Sequence, residues 1–541
     1  MHIQFLGGAT TVTGSQFLLT TERARVLIDC GMFQGSPNES IRNRIPFAFD
    51  TEALDAVVLT HAHLDHCGLL PLLVKSGFGG PIHATAGTIE LASLVLLDSG
   101  KLHEQFAKRE ARWEARNPDK AVADDRQEAD TYQAALAEAA AGAGAADADA
   151  DHVATTVEPA PPWPTPNATW PRDPEADLRA QPPALEVDLD EPLYTVRDAE
   201  RALEHFRAID YDTEREIAPG VWATFLDAGH ILGSAIIRLR VVERDGGDER
   251  VIVCSGDLGR PGSPILRDPT VLTAADYVLV ESTYGGREHE PQHEALRILA
   301  ETIRLVDESK GVLLVPSFAI GRTQEVVWEL DRLIERGEIP LLPLYLDSPM
   351  ASKASDIYRK YPEYYDEETA RLLQEGDTPL DYPDQHVTNA VKDSQKIEHA
   401  TRPYMIVASN GMLTGGRIVG HLRNLIDDPR AVILFVGYQG KGTLGAHLQA
   451  GARQVRLDGQ IRQVRCQVRS ISGFSAHADE SELLDWLRRF GEGKRPGDPG
   501  YPRRVFLVHG DPEAQVVLEP KVRELGFATH TPHWHERVEL D

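Results

Sequence analysis

The stretch Thr60-His61-Ala62-His63-Leu64-Asp65-His66-Cys67-Gly68 decides how this chain is read. It follows a short apolar run, Ala56-Val57-Val58-Leu59, that reads as a strand. Three imidazoles and a carboxylate on one loop are costly to hold together unless something uses them. Divalent metal ions are the natural users. The His-x-His alternation sends His61 and His63 to one side, while Asp65 and His66 turn to the other. That suits a two-metal hydrolytic site acting on a carbonyl or phosphorus centre.

Working outward, four other apolar runs end in a residue of metal-binding type. Val26-Leu27-Ile28 ends in Asp29, Phe225-Leu226 leads to His230, Val251–Cys254 leads to Asp257, and Val505–Val508 ends in His509. A lone His or Asp at a strand end is more often a cap or turn residue. Strand ends gathered on one rim of a β-sandwich would bring all four to the His61–His66 loop.

The chain has 541 residues, too many for one simple core, so at least two domains are expected. The formal net charge is −28, and only 12 of the 56 basic residues are Lys. This reads as a solvated acidic surface. Cys30, Cys67, Cys254 and Cys466 form no C-x-x-C pair, which argues against a thiolate metal site or a disulfide framework. With no basic start, signal-like run or 18-residue apolar stretch, the chain is expected to be cytoplasmic and to have no membrane partner.

Residues 1–285 read as strands and helices around the His-rich loop, interrupted at 118–192. That interruption, rich in Ala, Asp and Pro, is expected to be a disordered or loosely packed insertion, because it offers little surface to bury. A helix is expected over Arg197–Ile209. Residues 286–465 alternate strand-like runs with helical ones such as Arg322–Glu335, which argues for a mostly parallel sheet. Residues 466–541 add two strand-plus-helix pieces. The histidines His2, His83, His103, His421 and His447 read as ordinary core or surface residues, and His530, His533 and His535 as part of a polar last strand.

These motifs resemble the metallo-β-lactamase superfamily, and within it the β-CASP nuclease branch. Asp29, the His61–His66 loop, His230 and Asp257 match the superfamily's motifs. Glu281 in V-E-S-T-Y-G, His477 in S-G-F-S-A-H-A-D and His509 in F-L-V-H-G-D match those the branch adds. The resemblance implies an α/β fold, an αββα sandwich with an inserted α/β β-CASP domain. It also implies two Zn2+ ions, one on His61, His63, His230 and Asp257, the other on Asp65, His66, Asp257 and His509. Their N/O donors would accept Mn2+ as well. Asp29 would orient a ligand imidazole. Asp65 would align the nucleophile, and His477, supported by Glu281, would protonate the leaving oxygen.

Histidine rather than valine at the last motif favours RNA over DNA. The expected activity is therefore a zinc-dependent ribonuclease for RNA processing or decay, cutting internally or also from a 5′ end. Its partner would be RNA, taken as single-stranded, with a homodimer left open. Ser409, Gly411, Arg322, Lys441 and Ser475 are the candidate RNA contacts. An acidic protein binding a polyanion must rely on the metals, directional phosphate contacts and base stacking more than on counterion release. A small-molecule thioester or lactam hydrolase, a DNA nuclease and an inert scaffold are the alternatives. Glu281 and His477 count against the first, and the full set of ligands against the last.

Overall fold

The structure, a computed structural model, describes residues 1–35, 37–144, 191–244, 246–437, 439–440 and 442–541. Two seven-stranded sheets form its centre. The first runs in the spatial order Arg537–Glu539, His2–Gly7, Gln16–Thr20, Arg25–Ile28, Ala56–Val58, Ile82–Ala84, Phe206–Ala208. The second runs Thr529–His530, Arg504–Val508, Tyr277–Glu281, Glu249–Cys254, Ala235–Val242, Val221–Asp227, Arg215–Ala218.

The period-two alternation of strands divides their apolar residues between two faces. Ile3, Phe5, Phe17 and Val26 of the first sheet meet Phe225, Ile237, Ile252 and Phe506 of the second in the central core. Leu18, Leu27 and Val57 point the other way, onto Leu70, Leu73, Leu91 and Leu96. On the far side of the second sheet, Val253, Val278 and Leu507 pack on Leu483, Leu487, Leu518 and Val522. The helices Ala86–Glu114, Glu480–Gly491 and Pro512–Glu524 thus cover the outer faces and complete an αββα sandwich.

Between Glu281 and Glu480 the chain leaves the sandwich to build a third sheet. Its order is Gln385–Val387, Leu344–Leu346, Tyr404–Ala408, Val312–Pro316, Ala431–Phe435, Gln467–Ser470, and every pairing is parallel. Central strands such as Val312–Pro316 and Tyr404–Ala408 are buried throughout, because helices lie on both faces. The last strand lies a few residues beyond 465. This inserted domain leans on the sandwich where Tyr358 joins the cluster of Leu91 and Leu96, and its hydroxyl accepts a hydrogen bond from the Leu232 N–H at 3.1 Å.

Two expectations need correction. Residues 118–192 are not uniformly without structure: Pro118–Gly144 is a 27-residue helix, and the remainder, 145–190, lies outside the described residues. Low apolar content suggested disorder, but alanine has the highest helix propensity. Ala139 also docks against Phe33 and Trp534, and Arg42 pairs with Glu138 at 2.9 Å. The helix expected over Arg197–Ile209 spans Val196–Leu203 instead. Phe206–Ala208 are claimed as an edge strand by Ile82–Ala84.

Candidate metal centre

Five chain segments reach one rim of the sandwich, each at the C-terminal end of a strand. Asp29 and His509 follow their strands directly and take left-handed backbone conformations, with φ of 57° and 49°. Non-glycine residues rarely adopt these values, and they cluster where a side chain must be aimed.

The loop after Ala56–Val58 delivers His61, His63, Asp65 and His66. Nε2 of His61 and Nε2 of His230 stand 3.1 and 3.2 Å from Nδ1 of His63. Each of those two Nε2 atoms is 3.4 Å from Oδ2 of Asp257. On the other side of the same carboxylate, Oδ1 lies 3.2 Å from His66 Nε2 and 3.4 Å from His509 Nδ1. His509 Nε2 is 3.7 Å from Asp65 Oδ2. Two donor groups result, His61/His63/His230/Asp257 and Asp65/His66/His509, adjoining at Asp257.

The spacings fit metal coordination. Zinc–nitrogen bonds of about 2.0–2.1 Å place tetrahedral ligands about 3.3–3.4 Å apart. Asp257 Oδ1 is buried without a hydrogen-bond partner among the described residues, as expected of an atom kept for an ion.

Outer contacts hold the rings. Asp29 Oδ2 is 2.7 Å from His66 Nδ1. Asp29 also accepts from the Thr60 N–H at 2.8 Å, the Thr60 hydroxyl at 2.9 Å and the Ser15 hydroxyl at 3.2 Å. His230 Nδ1 donates to the Ala476 carbonyl at 3.1 Å, leaving Nε2 as its free lone pair. Burial, then the neighbouring His61, holds the His63 pKa down to about 3. Burial opposes a charge on His66, but Asp257 and Asp29 outweigh it and raise its pKa well above the ordinary range.

His477 and Glu281 stand beside this centre. Nδ1 of His477 is 3.1 and 3.2 Å from the two Glu281 oxygens, and its Nε2 is 3.9 Å from Asp257 Oδ2. Glu281 is fully buried and also accepts from the Leu258 N–H at 2.7 Å. Burial disfavours the imidazolium, but Glu281 and then Asp257 push the His477 pKa up to about 9. A protonated imidazole aimed into the rim can give a proton to a leaving group.

The candidate RNA contacts are less uniform. Ser475 is buried next to His477 and accepts from its N–H at 3.3 Å. Gly411 faces Phe318, and Ser409 shares a 2.8 Å hydrogen bond with Ser348. Arg322 is buried and ion-paired with Glu325. Lys441 lies outside the described residues. His421, read from the sequence as ordinary, is buried 2.6 Å from Asp347, a partner 74 residues away with no local signal. The four cysteines are free and buried. Among the described residues, no helix is long and apolar enough to cross a membrane.

Known proteins show the same arrangement of parts. A metallo-beta-lactamase superfamily model matches residues 9–124, a Beta-Casp domain model residues 323–448, and a Zn-dependent metallo-hydrolase RNA specificity domain model residues 462–532. Ribonuclease TTHA0252 of Thermus thermophilus is 34% identical over 96% of this chain and 95% of its own length. Transcription termination factor FttA of Methanosarcina mazei is 30% identical over 96% of this chain and 69% of its own length. FttA of Methanocaldococcus jannaschii is 29% identical over 97% and 69%.

Proposed function

Because the chain belongs to the β-CASP branch of the metallo-β-lactamase superfamily, we propose that it is a two-zinc ribonuclease that cuts single-stranded RNA internally. The observation that carries this reading is the pair of donor groups meeting at Asp257, with the Glu281–His477 pair at their edge. Simple thioester or lactam hydrolysis needs no such pair. The match to an RNA specificity domain and a ribonuclease relative support RNA over DNA.

One ion would be held by His61, His63, His230 and Asp257, the other by Asp65, His66, Asp257 and His509. Bound there, the ions would supply Lewis acidity and lower the pKa of a water molecule. Once that water has released a proton to solvent, Asp65, one of the less buried donors, would accept a hydrogen bond from the remaining hydroxide and turn its lone pair toward phosphorus. A new P–O bond forms as the bond to the 3′ oxygen of the upstream nucleotide breaks. His477 gives its Nε2 proton to that departing oxygen, while Glu281 steadies Nδ1. The products carry a 5′-phosphate and a 3′-hydroxyl. Ser409, Gly411 and Ser475 serve as phosphate contacts along the strand.

The test is cleavage of a labelled single-stranded RNA and the matching DNA by wild type and His477→Ala, with bound metal measured in each. RNA cut by the wild type alone, at equal metal content, is the expected result. No cutting by a metal-loaded wild type would overturn the reading, and DNA cut in preference to RNA would reassign the substrate.

A further inference from the structure

Beyond the Glu281–His477 pair lies a second histidine that the reaction above does not use. His289 is 8% exposed and sits on the loop after strand Tyr277–Glu281. Its Nε2 is 3.1 Å from the main-chain carbonyl of His477, a contact only an N–H can make. Its own backbone N–H donates to Asp479 Oδ2 at 3.2 Å. Asp479 also caps the helix Glu480–Gly491 through the Glu482 N–H at 3.0 Å. His289 therefore grips the chain on both sides of Ala478.

The ring of His289 packs on Tyr284 with centroids 4.3 Å apart, and the Tyr284 ring lies 6.2 Å from that of His477. On the other side, the Ser475 hydroxyl accepts from the His477 N–H at 3.3 Å. The other His289 nitrogen, Nδ1, is buried with no hydrogen-bond partner among the described residues. A bare buried acceptor is destabilising, and an apolar side chain would fill the space without that cost. The bond to the His477 carbonyl is what a histidine supplies here and an apolar residue does not.

Glu281 orients the His477 ring through its side chain alone. The backbone that sets the ring's distance from the substrate is held elsewhere. Resting on the reading of His477 as the proton donor, we propose that His289 is a positioning residue, fixing the His477 main chain by its Nε2–H···O=C bond so that the acid meets the leaving oxygen. A displacement of 1 Å in such a group can cost about 10²-fold in rate.

The experiment compares metal-loaded wild type, His477→Ala, His289→Ala and His289→Gln. Glutamine can place an N–H near the position of Nε2. Two substrates are used, RNA and bis(p-nitrophenyl) phosphate, whose p-nitrophenolate departs without a proton. His289→Ala should lower kcat on RNA by about 10–100-fold. Its KM, bound metal and aryl diester rate should stay near wild type. His289→Gln should recover most of the lost kcat.

Normal RNA cleavage by His289→Ala would overturn the inference. So would equal losses on both substrates accompanied by metal loss and no recovery in His289→Gln, the pattern of a purely structural residue. A wild type inert on RNA would instead sink the nuclease reading, and a fully active His477→Ala the acid assignment.

Discussion

Nε2 of His66 lies 3.2 Å from Nε2 of His509, although 443 residues separate them in the chain. Two imidazole nitrogens approach so closely in a buried site only when something lies between them. Either one donates to the other, or both point lone pairs at a shared cation. The neighbouring Asp65 and Asp257 carboxylates favour the second arrangement.

Removing the shared carboxylate should therefore be worse than removing any one ring. Asp257→Ala should lose both ions and all RNA cleavage. His509→Ala should retain about one ion, because the His61/His63/His230 group keeps its own donors. Elemental analysis of dialysed protein reads both outcomes. Chelation should also lower the melting temperature, since an ion at 100 times its Kd stabilises the fold by about 2.7 kcal/mol.

Glu281→Gln should keep metal and lose rate. A neutral amide no longer stabilises the imidazolium of His477, so kcat should fall toward that of His477→Ala, a loss of about 10²–10⁴-fold. Single-turnover cleavage beside metal analysis checks this. Metal loss in Glu281→Gln would show the carboxylate acting on the ions instead.

Glu329 carries a pH signature of its own. It is buried in the helix Arg322–Glu335, and burial, with Glu325 beside it, raises its pKa from 4.5 to about 8. The folded state then holds a proton that the unfolded chain releases above about pH 4.5. Stability is fully present below that pH, declines as pH rises toward 8, and levels off above it. Glu329→Gln should flatten this part of the curve in denaturant titrations run from pH 5 to 9. An unchanged slope would show that Glu329 ionises freely in the fold.

Asp347 should prove the weak point of the inserted domain. It accepts from Arg417 at 2.7 Å, from Thr388 and Ser394, and faces His421 at 2.6 Å; its own side chain is buried, while that of Arg417 is 20% exposed. Asp347→Ala leaves the buried Thr388 and Ser394 hydroxyls and the partly exposed Arg417 without their shared acceptor and should cost about 1–3 kcal/mol. Calorimetry should show that loss with the metal content unchanged.

Much of the centre was legible because strand-then-ligand is a local pattern. His61 to His66, His230, Asp257 and His509 each follow an apolar run, and the fold gathers those run ends on one rim. His289 was not legible. It contacts a main-chain carbonyl 188 residues away, and carbonyls carry no sequence signal. Asp347 and His421 were hidden for a similar reason, their pairing being visible only once the parallel sheet is assembled. The helix Pro118–Gly144 has no signal in apolar content; it rests on alanine's helix propensity.

The closeness of His66 to His509 also sets a timetable. A ribosome making this chain releases the His61–His66 loop early, and the first donor group is whole once Asp257 has emerged. The second waits for His509, after the entire inserted domain has been synthesised. If the centre holds two ions as proposed, no nascent chain that stops short of His509 can complete it, and RNA cleavage is expected only from chains that have passed that residue.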